Sequence, residues 1–237
     1  MQARARLALL DIEGTLSPLA FVRDVMFPFA AARYEGFFER RFHDPDLAAA
    51  VASLRAEAAR EPGPVRLEQW RDAADYCARL TREDRKATGL KAVQGLIWDE
   101  GFASGELKPP LFADARPALE RWRTAGMRLA IYSSGSEHAQ RQFFAHTTEG
   151  DLGALFEAFF DTAVGMKKDP ASYTTIALRL GLPSLEICFF SDVVAELEAA
   201  AEAGMRAVLV HRPGNTPQPP WGGLAVDSFE GVELTGV

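Results

Sequence analysis

The sequence has few cysteines, no long hydrophobic run and a shortage of positive charge. Its two cysteines, Cys77 and Cys188, lie in apolar stretches, which favours reduced thiols in a cytoplasmic protein over a disulfide framework. No segment reaches the roughly 18 consecutive apolar residues that a membrane-spanning helix needs. Because Asp11 interrupts the apolar run at residues 7–10, we expect no signal peptide there. A net charge of −7 disfavours nucleic acid and anionic membranes as partners.

The hydrophobic pattern divides the chain into two kinds of region. Apolar residues make up 48% of the sequence, enough for one large core or for a core with an insertion. Residues 18–108 show helical periodicity and no strand, so they are predicted to form an inserted helical domain. Residues 1–17 and 109–237 alternate strands with helices, which predicts an α/β core with a Rossmann-like, doubly wound parallel sheet. The predicted strands are 7–10, 127–132, 186–190, 205–210 and 224–226.

The first strand runs directly into two carboxylates. Asp11 and Glu13 follow the apolar residues 7–10 and precede Gly14 and Thr15. Alternate residues of an extended chain point the same way, so both carboxylates can face one point at the carboxyl end of the strand. Two negative charges this close together raise the free energy of the fold unless they share a cation or a proton. This cost is a first indication of a metal site.

Polar groups also follow two later strands of the predicted sheet. Ser133 and Ser134 come after the strand at 127–132, and Asp192 comes soon after the strand at 186–190. Because the carboxyl ends of parallel strands meet at one edge of a sheet, we expect these groups near the first pair of carboxylates.

Together with a lysine, these groups suit phosphoryl transfer. Asp11 and Asp192 can hold Mg²⁺, and Asp11 can attack phosphorus to form an aspartyl phosphate. Glu13 can serve as acid to the leaving oxygen and as base to the hydrolytic water. Ser133, with the backbone N–H groups of the next two residues, forms an anion seat at the start of a helix. Lys167 lies in a loop before a predicted helix and can neutralise charge on the phosphoryl group.

Each member of this set also has an ordinary explanation. Serines after a strand usually cap the next helix, and an isolated lysine such as Lys167 is usually solvated. Asp192 suits the first turn of a helix, where the dipole favours an acid. Glu196, one turn further on, is a candidate anchor for a metal-bound water or for the lysine. The order of the groups along the chain, rather than any one of them, indicates a catalytic site.

That order resembles the haloacid dehalogenase-like hydrolases. Their first motif has two aspartates and then a threonine, where this chain has Asp11, Glu13 and Thr15. The glutamate departs from the wider superfamily and is similar to one branch, the enolase-phosphatases (acireductone synthases) of methionine salvage. Nearly the whole chain resembles that branch, most clearly in residues 11–30, 96–107, 131–152, 167–173 and 189–200.

The resemblance implies a fold, a metal and a substrate site. Residues 18–108 would be the family's helical cap, which closes over the substrate. One Mg²⁺ per subunit would be bound by Asp11, Glu13 and Asp192. Since the wider superfamily meets the metal through a backbone carbonyl at the position of Glu13, contact by the side chain or by the carbonyl stays open. The implied substrate contacts are Ser133, Ser134 and Lys167.

The implied reaction acts on a small phosphorylated diketone. The substrate, 2,3-diketo-5-methylthiopentyl-1-phosphate, is enolised and then dephosphorylated to the acireductone 1,2-dihydroxy-3-keto-5-methylthiopentene. Glu13, Lys167 or a residue of the helical insertion would take the carbon proton. The alternatives are a phosphatase of the same superfamily for another small phosphate ester, or a catalytically silent binding module. The presence of both Asp11 and Asp192 disfavours the silent module. We expect a cytoplasmic monomer.

Overall fold

The structure is a computed structural model that describes residues 1–63, 65–85 and 87–236. In chain order, its strands are β1 (Gln2–Arg4), β2 (Leu7–Leu10), β3 (Arg128–Tyr132), β4 (Ala158–Phe160), β5 (Ile187–Ser191), β6 (Arg206–Val210), β7 (Leu224–Val226) and β8 (Glu233–Thr235). Its α-helices are α1 (Leu19–Phe21), α2 (Phe27–Ala31), α3 (Tyr34–Arg41), α4 (Pro45–Ala58), α5 (Trp70–Arg82), α6 (Thr88–Ser104), α7 (Ala115–Thr124), α8 (Glu137–Ala145), α9 (Pro170–Leu180) and α10 (Val194–Glu202).

Six parallel strands form the main sheet, in the order β4-β3-β2-β5-β6-β7. The first of them along the chain, β2, lies between β3 and β5, and Leu10 is paired with Ile131 on one side and Phe190 on the other. Both faces of β2 and β5 are buried, which explains their unbroken apolar sequences. The chain first builds outward through β3 and β4 and then returns to the other side of β2. This reversal puts the topological switch point, where ligands bind in such sheets, at the carboxyl end of β2.

Local sequence signals fix the helices beside this sheet. The helix α9 begins with the side chain of Asp169 accepting from Ala171 N at 2.9 Å, followed by Pro170 in the first turn. It ends at Gly181, which has a left-handed φ of +66°. Tyr173 on this helix packs edge-on against Phe189 of β5, with ring centroids 5.1 Å apart. The parallel strand order, with helices packed beside the sheet, confirms the doubly wound parallel sheet predicted from the sequence.

The chain divides into two compact units, one of which is the segment Arg23–Leu107. The other contains the residues up to Val22 and those from Lys108 onward, including both sheets. The sequence had placed the insertion at residues 18–108. The described part of Arg23–Leu107 is helical, with its own core, where Gly89 of α6 lies against Leu54 of α4. A Cβ at Gly89 would come within 2.7 Å of the Leu54 backbone nitrogen, so the glycine permits this close helix approach.

Some local features differ from the sequence-based expectations. The three-residue strands β1, β4 and β8 were not predicted, because a run that short carries almost no periodicity. Around Pro28 the structure has a π-helix, Val22–Met26, and then α2 with the proline in its first turn. Both cysteines are buried free thiols. Among the residues that the structure describes, every helix is too short or too polar to span a membrane.

Candidate active site

Three neighbouring strands deliver predicted site residues to the switch point. Asp11 directly follows β2, and its backbone N–H donates to the carbonyl of Phe190 in β5 at 3.0 Å. Ser133 directly follows β3, and its backbone N–H donates to the carbonyl of Phe160 in β4 at 3.1 Å. Asp192 directly follows β5. These hydrogen bonds continue the ladders of the sheet, so the backbone beneath the site is held as rigidly as the strands themselves.

Lys167, in the loop before α9, bridges two of the carboxylates. Its Nζ lies 2.6 Å from Asp11 Oδ1 and 2.7 Å from Glu196 Oε2, and its side chain is 7% exposed. The Tyr173 hydroxyl donates to the Lys167 carbonyl at 2.7 Å and so fixes the loop. Burial alone would lower the pKa of Lys167, but Asp11 and Glu196 raise it above its ordinary value. The lysine is therefore a permanent buried cation.

Glu13 and Ser133 form a second contact at the same edge of the sheet. The Ser133 hydroxyl donates to Glu13 Oε2 at 3.1 Å and accepts from Gly135 N at 3.3 Å. Loss of hydration and then the charge of Asp11 raise the pKa of Glu13, outweighing the attraction of Lys167. A carboxyl group with a raised pKa holds a proton more readily, which favours a role as an acid–base catalyst.

Asp192 is a buried carboxylate that fits only because its neighbour is glycine. Burial, and then the charges of Asp11 and Glu196, raise the pKa of Asp192 to about 7. Gly14 has a φ of +78°, and a Cβ on it would lie 2.6 Å from Asp192 Cγ and closer still to Oδ2. The turn after β2 therefore needs glycine both for its left-handed backbone and for the space that the carboxylate occupies.

Glu196 enters the cluster from the first turn of α10. Its Oε2 accepts from the Ser191 hydroxyl at 2.9 Å, besides contacting Lys167, and burial raises the pKa of Glu196. Of the two roles considered for it, the structure shows the contact with the lysine. Four carboxylates thus lie near one ammonium group, which pairs with two of them, and an added cation or proton would relieve their repulsion. The four are Asp11, Glu13, Asp192 and Glu196.

One predicted residue does not join this cluster in the structure. Ser134 is exposed, and no hydrogen bond from its side chain to the cluster occurs within the described ranges. The helix cap in this loop is Ser136, whose hydroxyl accepts from Ala139 N at 3.2 Å. The predicted substrate contact of Ser134 therefore has no support from the hydrogen bonds of the cluster.

Two residues that hold the turn after β2, Arg212 and Asn215, were not predicted from the sequence. Arg212 Nη1 binds both carboxylate oxygens of Asp114 at 2.9 and 2.8 Å, and its Nε donates to the carbonyl of Thr15 at 3.1 Å. Asn215 Nδ2 donates to the carbonyl of Gly14 at 2.9 Å. Both residues belong to the loop after β6, and their polar character at a strand end was the only signal available from the sequence.

Comparison with known proteins agrees with this architecture. A family profile for haloacid dehalogenase-like hydrolases matches residues 5–204. An enolase-phosphatase E1 of Acidiphilium cryptum is 47% identical over 213 residues, which cover 90% of this chain and 88% of that protein. An enolase-phosphatase E1 of Aquifex aeolicus is 45% identical over 209 residues, covering 88% and 91% respectively.

Solved structures show the same fold. The crystal structure of the UTR4 protein of Saccharomyces cerevisiae superposes with a TM-score of 0.81 at 29% identity, covering 96% of this chain and 99% of that one. CbbY of Rhodobacter sphaeroides superposes with a TM-score of 0.62 at 16% identity, covering 95% of each chain, which shows the fold alone. On the family profile and the close relatives together, this chain is a hydrolase that belongs to the enolase-phosphatase family of the haloacid dehalogenase-like hydrolases.

Proposed function

We propose that this chain uses the cluster to convert 2,3-diketo-5-methylthiopentyl-1-phosphate into the acireductone and phosphate, as an enolase-phosphatase of methionine salvage. One observation carries the proposal. Lys167 Nζ lies 2.6 Å from Asp11 Oδ1, although the two residues are 156 positions apart, and a glutamate stands beside this pair. An aspartate held by a buried cation next to an acid–base group is the arrangement that stepwise phosphoryl transfer requires.

The dephosphorylation assigns different roles to two carboxylates. Lys167 holds one oxygen of Asp11, which leaves Oδ2 to attack phosphorus. The Asp11 oxygen–phosphorus bond forms as the bond from phosphorus to the substrate oxygen breaks, and Glu13 gives that oxygen its proton. Water then attacks phosphorus and loses a proton to Glu13, which breaks the aspartyl phosphate and frees phosphate. The hydrogen bond from Ser133 holds Glu13 in place for both proton transfers.

Two of the three candidate bases for the enolisation, Glu13 and Lys167, lie in the cluster and differ in their pairing, and a residue of the helical insertion stays the third candidate. Lys167 is paired with two carboxylates and its pKa is raised, so it holds its proton and is a poor base. Glu13 has a pKa raised in the direction that makes its ionised form a better base. We therefore assign the carbon proton to Glu13 and the stabilisation of the developing oxyanion to Lys167.

The donor set also suits one Mg²⁺. The described ranges contain no group of three or more Asp, Glu, His or Cys side chains arranged to hold a metal. Mg²⁺ commonly takes only one or two protein carboxylates and keeps several waters, so Asp11, Asp192 and a backbone carbonyl would suffice. The Glu13 carboxylate is engaged by Ser133, which favours its backbone carbonyl as the ligand. When bound, Mg²⁺ would neutralise negative charge on the substrate and on the carboxylates.

The proposal is tested by one assay with two readouts. Purified protein with Mg²⁺ and the diketone phosphate should release phosphate and show the absorbance of an enediol. Release from other small phosphate esters, with none from the diketone, would favour the alternative phosphatase. No turnover of any ester by folded protein would overturn both. Five further expectations from the sequence stay predictions. They are the cap role of the helical unit, the monomeric state, the absence of nucleic-acid or membrane partners, the substrate contact of Ser134 and the cytoplasmic location.

A further inference from the structure

The loop after β6 meets the turn after β2 through the side chain of Asn215. Its Nδ2 donates to the carbonyl oxygen of Gly14 at 2.9 Å. A carbonyl oxygen can only accept a hydrogen bond, so the nitrogen of the Asn215 amide must face Gly14. This contact therefore fixes the orientation of the amide and turns the other atom, Oδ1, away from the carbonyl.

Oδ1 of Asn215 has no partner of its own. The atom is buried and accepts no hydrogen bond from the residues that the structure describes. A buried acceptor without a donor destabilises the folded protein, so such an atom calls for a bound water, ion or ligand as its partner. The chain retains this cost at a loop that borders the proposed metal site.

Distances from the turn after β2 show which groups lie near Oδ1. A Cβ on Gly14 would lie 3.1 Å from Asn215 Oδ1 and 2.6 Å from Asp192 Cγ. Both groups therefore lie on the side of Gly14 that lacks a side chain, close to one another. Asp192 and Asn215 also line one cavity of about 460 Å³, together with Gln218 and Trp221 among other residues. A hydrated ion at the Asp192 carboxylate would have room for its waters on this side.

We propose that Asn215 is a positioning residue for the metal, and that its Oδ1 accepts a hydrogen bond from a water of the hydration shell of Mg²⁺ held at Asp192. The inference rests on the Mg²⁺ site of the proposed function. A water polarised by Mg²⁺ is a strong donor and needs an acceptor, and Asn215 offers one whose orientation is already fixed. Loss of such outer partners typically weakens metal binding by about 10–100-fold.

Two variants separate this role from a purely structural one. Asn215→Ala removes both the tie to Gly14 and the free acceptor. Asn215→Asp removes the Nδ2 donor but keeps an oxygen that can accept from a water. The matched control is Gln218→Ala, because Gln218 lines the same cavity but its Oε1 already accepts from Val194 N at 3.0 Å.

The measurement is calorimetric titration of the substrate-free protein with MgCl₂, with folding checked by thermal unfolding without metal. We expect Asn215→Ala to weaken Mg²⁺ binding about 10–100-fold. Asn215→Asp should bind Mg²⁺ at least as tightly as the unmodified protein, and Gln218→Ala should match it. Equal weakening by the two Asn215 variants would reduce the residue to a structural tie, and unchanged binding in Asn215→Ala would remove it from the site. No Mg²⁺ binding by the unmodified protein would instead overturn the metal assignment of the proposed function.

Discussion

Two buried ionic networks hold the turn at residues 13–15, and they differ in their balance of charge. In the first, Asp11 and Glu196 share the ammonium group of Lys167, and two further carboxylates, those of Glu13 and Asp192, lie nearby. In the second, Arg212 faces one carboxylate, that of Asp114, through two hydrogen bonds, and its guanidinium lies between the rings of Phe112 and Phe229. The first network has an excess of negative charge, and the second is neutral.

The difference in charge follows the difference in task. Asp114 also accepts from the Ser228 hydroxyl at 3.0 Å and from the backbone N–H of Phe229, so its charge is fully compensated. Such an arrangement holds the turn through a charge-balanced pair. The Asp192 carboxylate forms no ion pair with a cationic side chain in the described ranges, and burial raises its pKa. Uncompensated charge is costly in a folded protein and is kept where a cation or substrate is to be bound.

The largest expected effect comes from removing one negative charge from the active-site network. Asp11→Asn should lower phosphate release by about 1000-fold or more, because an amide cannot attack phosphorus. The free energy of unfolding should stay the same or rise, since the variant relieves repulsion among the remaining carboxylates. Phosphate assays and urea denaturation give the two numbers. Retained hydrolysis would exclude Asp11 as nucleophile, and a clear loss of stability would contradict the excess of negative charge.

The next effect tests whether the Asp192 carboxylate needs the space beside Gly14. Gly14→Ala should lower phosphate release by roughly 100-fold, because its Cβ displaces the Asp192 carboxylate from its place in the proposed metal site. The left-handed φ adds a stability cost of about 1–2 kcal/mol. The matched control is Gly126→Ala, at a φ of +82° with no atom within 4 Å of the added Cβ. The control should lose similar stability and keep its activity; equal activity in both variants would show that Asp192 needs no such space.

In the second, neutral network, removing the charge of Asp114 should lower the free energy of unfolding. Asp114→Asn leaves Arg212 buried without its counter-charge, which typically costs about 3–5 kcal/mol. Burial alone would raise the pKa of Asp114, but the hydrogen bonds and charge of Arg212 lower it below its ordinary value. The stabilisation is therefore present above the unfolded pKa of about 4 and is lost as the pH falls through the folded pKa.

Urea denaturation across pH checks this sign. The difference in unfolding free energy between the unmodified protein and Asp114→Asn should be largest near pH 7 and should shrink below about pH 4. Phosphate release per folded molecule should fall far less than in the Asp11 variant. A difference that does not change with pH would mean that the carboxylate charge is unimportant to the network.

The sequence predicted the first network much better than the second. Asp11, Ser133 and Asp192 each follow an apolar strand, and the rule that parallel strands end at one edge of the sheet was enough to group them. Lys167 lies in a loop, and its order in the chain together with the family resemblance pointed to it. The geometry brings these four together as expected, and their catalytic roles stay predictions.

The second network lies outside what local patterns can predict. Arg212 and Asp114 are 98 positions apart, and neither belongs to a periodic pattern or a known motif. Their pairing depends on the loop after β6 reaching Asp114, the residue before α7, which only the folded chain shows. The unpartnered oxygen of Asn215 is likewise a property of three-dimensional packing, because the same residue in a solvated loop would have water as its partner.

The smallest expected effect compares two serines in equivalent positions. Ser191 Oγ donates to Glu196 at 2.9 Å, and Ser228 Oγ donates to Asp114 at 3.0 Å. Each hydroxyl also accepts from the backbone N–H two residues later. Replacing either serine by alanine removes one donor from a partly or fully buried carboxylate, worth about 1 kcal/mol by itself. The two variants therefore differ mainly in the network from which the donor is lost.

The consequences should differ because the first network can respond by taking up a proton. Loss of the Ser191 hydrogen bond raises the pKa of Glu196 further, so Ser191→Ala should shift the acidic limb of the pH profile of phosphate release to higher pH. Ser228→Ala should lose about 1 kcal/mol of stability with an unchanged profile, since Arg212 holds Asp114 ionised. Rate profiles between pH 5 and 8, with urea denaturation at pH 7, distinguish the two. Identical profiles for both variants would mean that excess charge does not set the protonation of the active site.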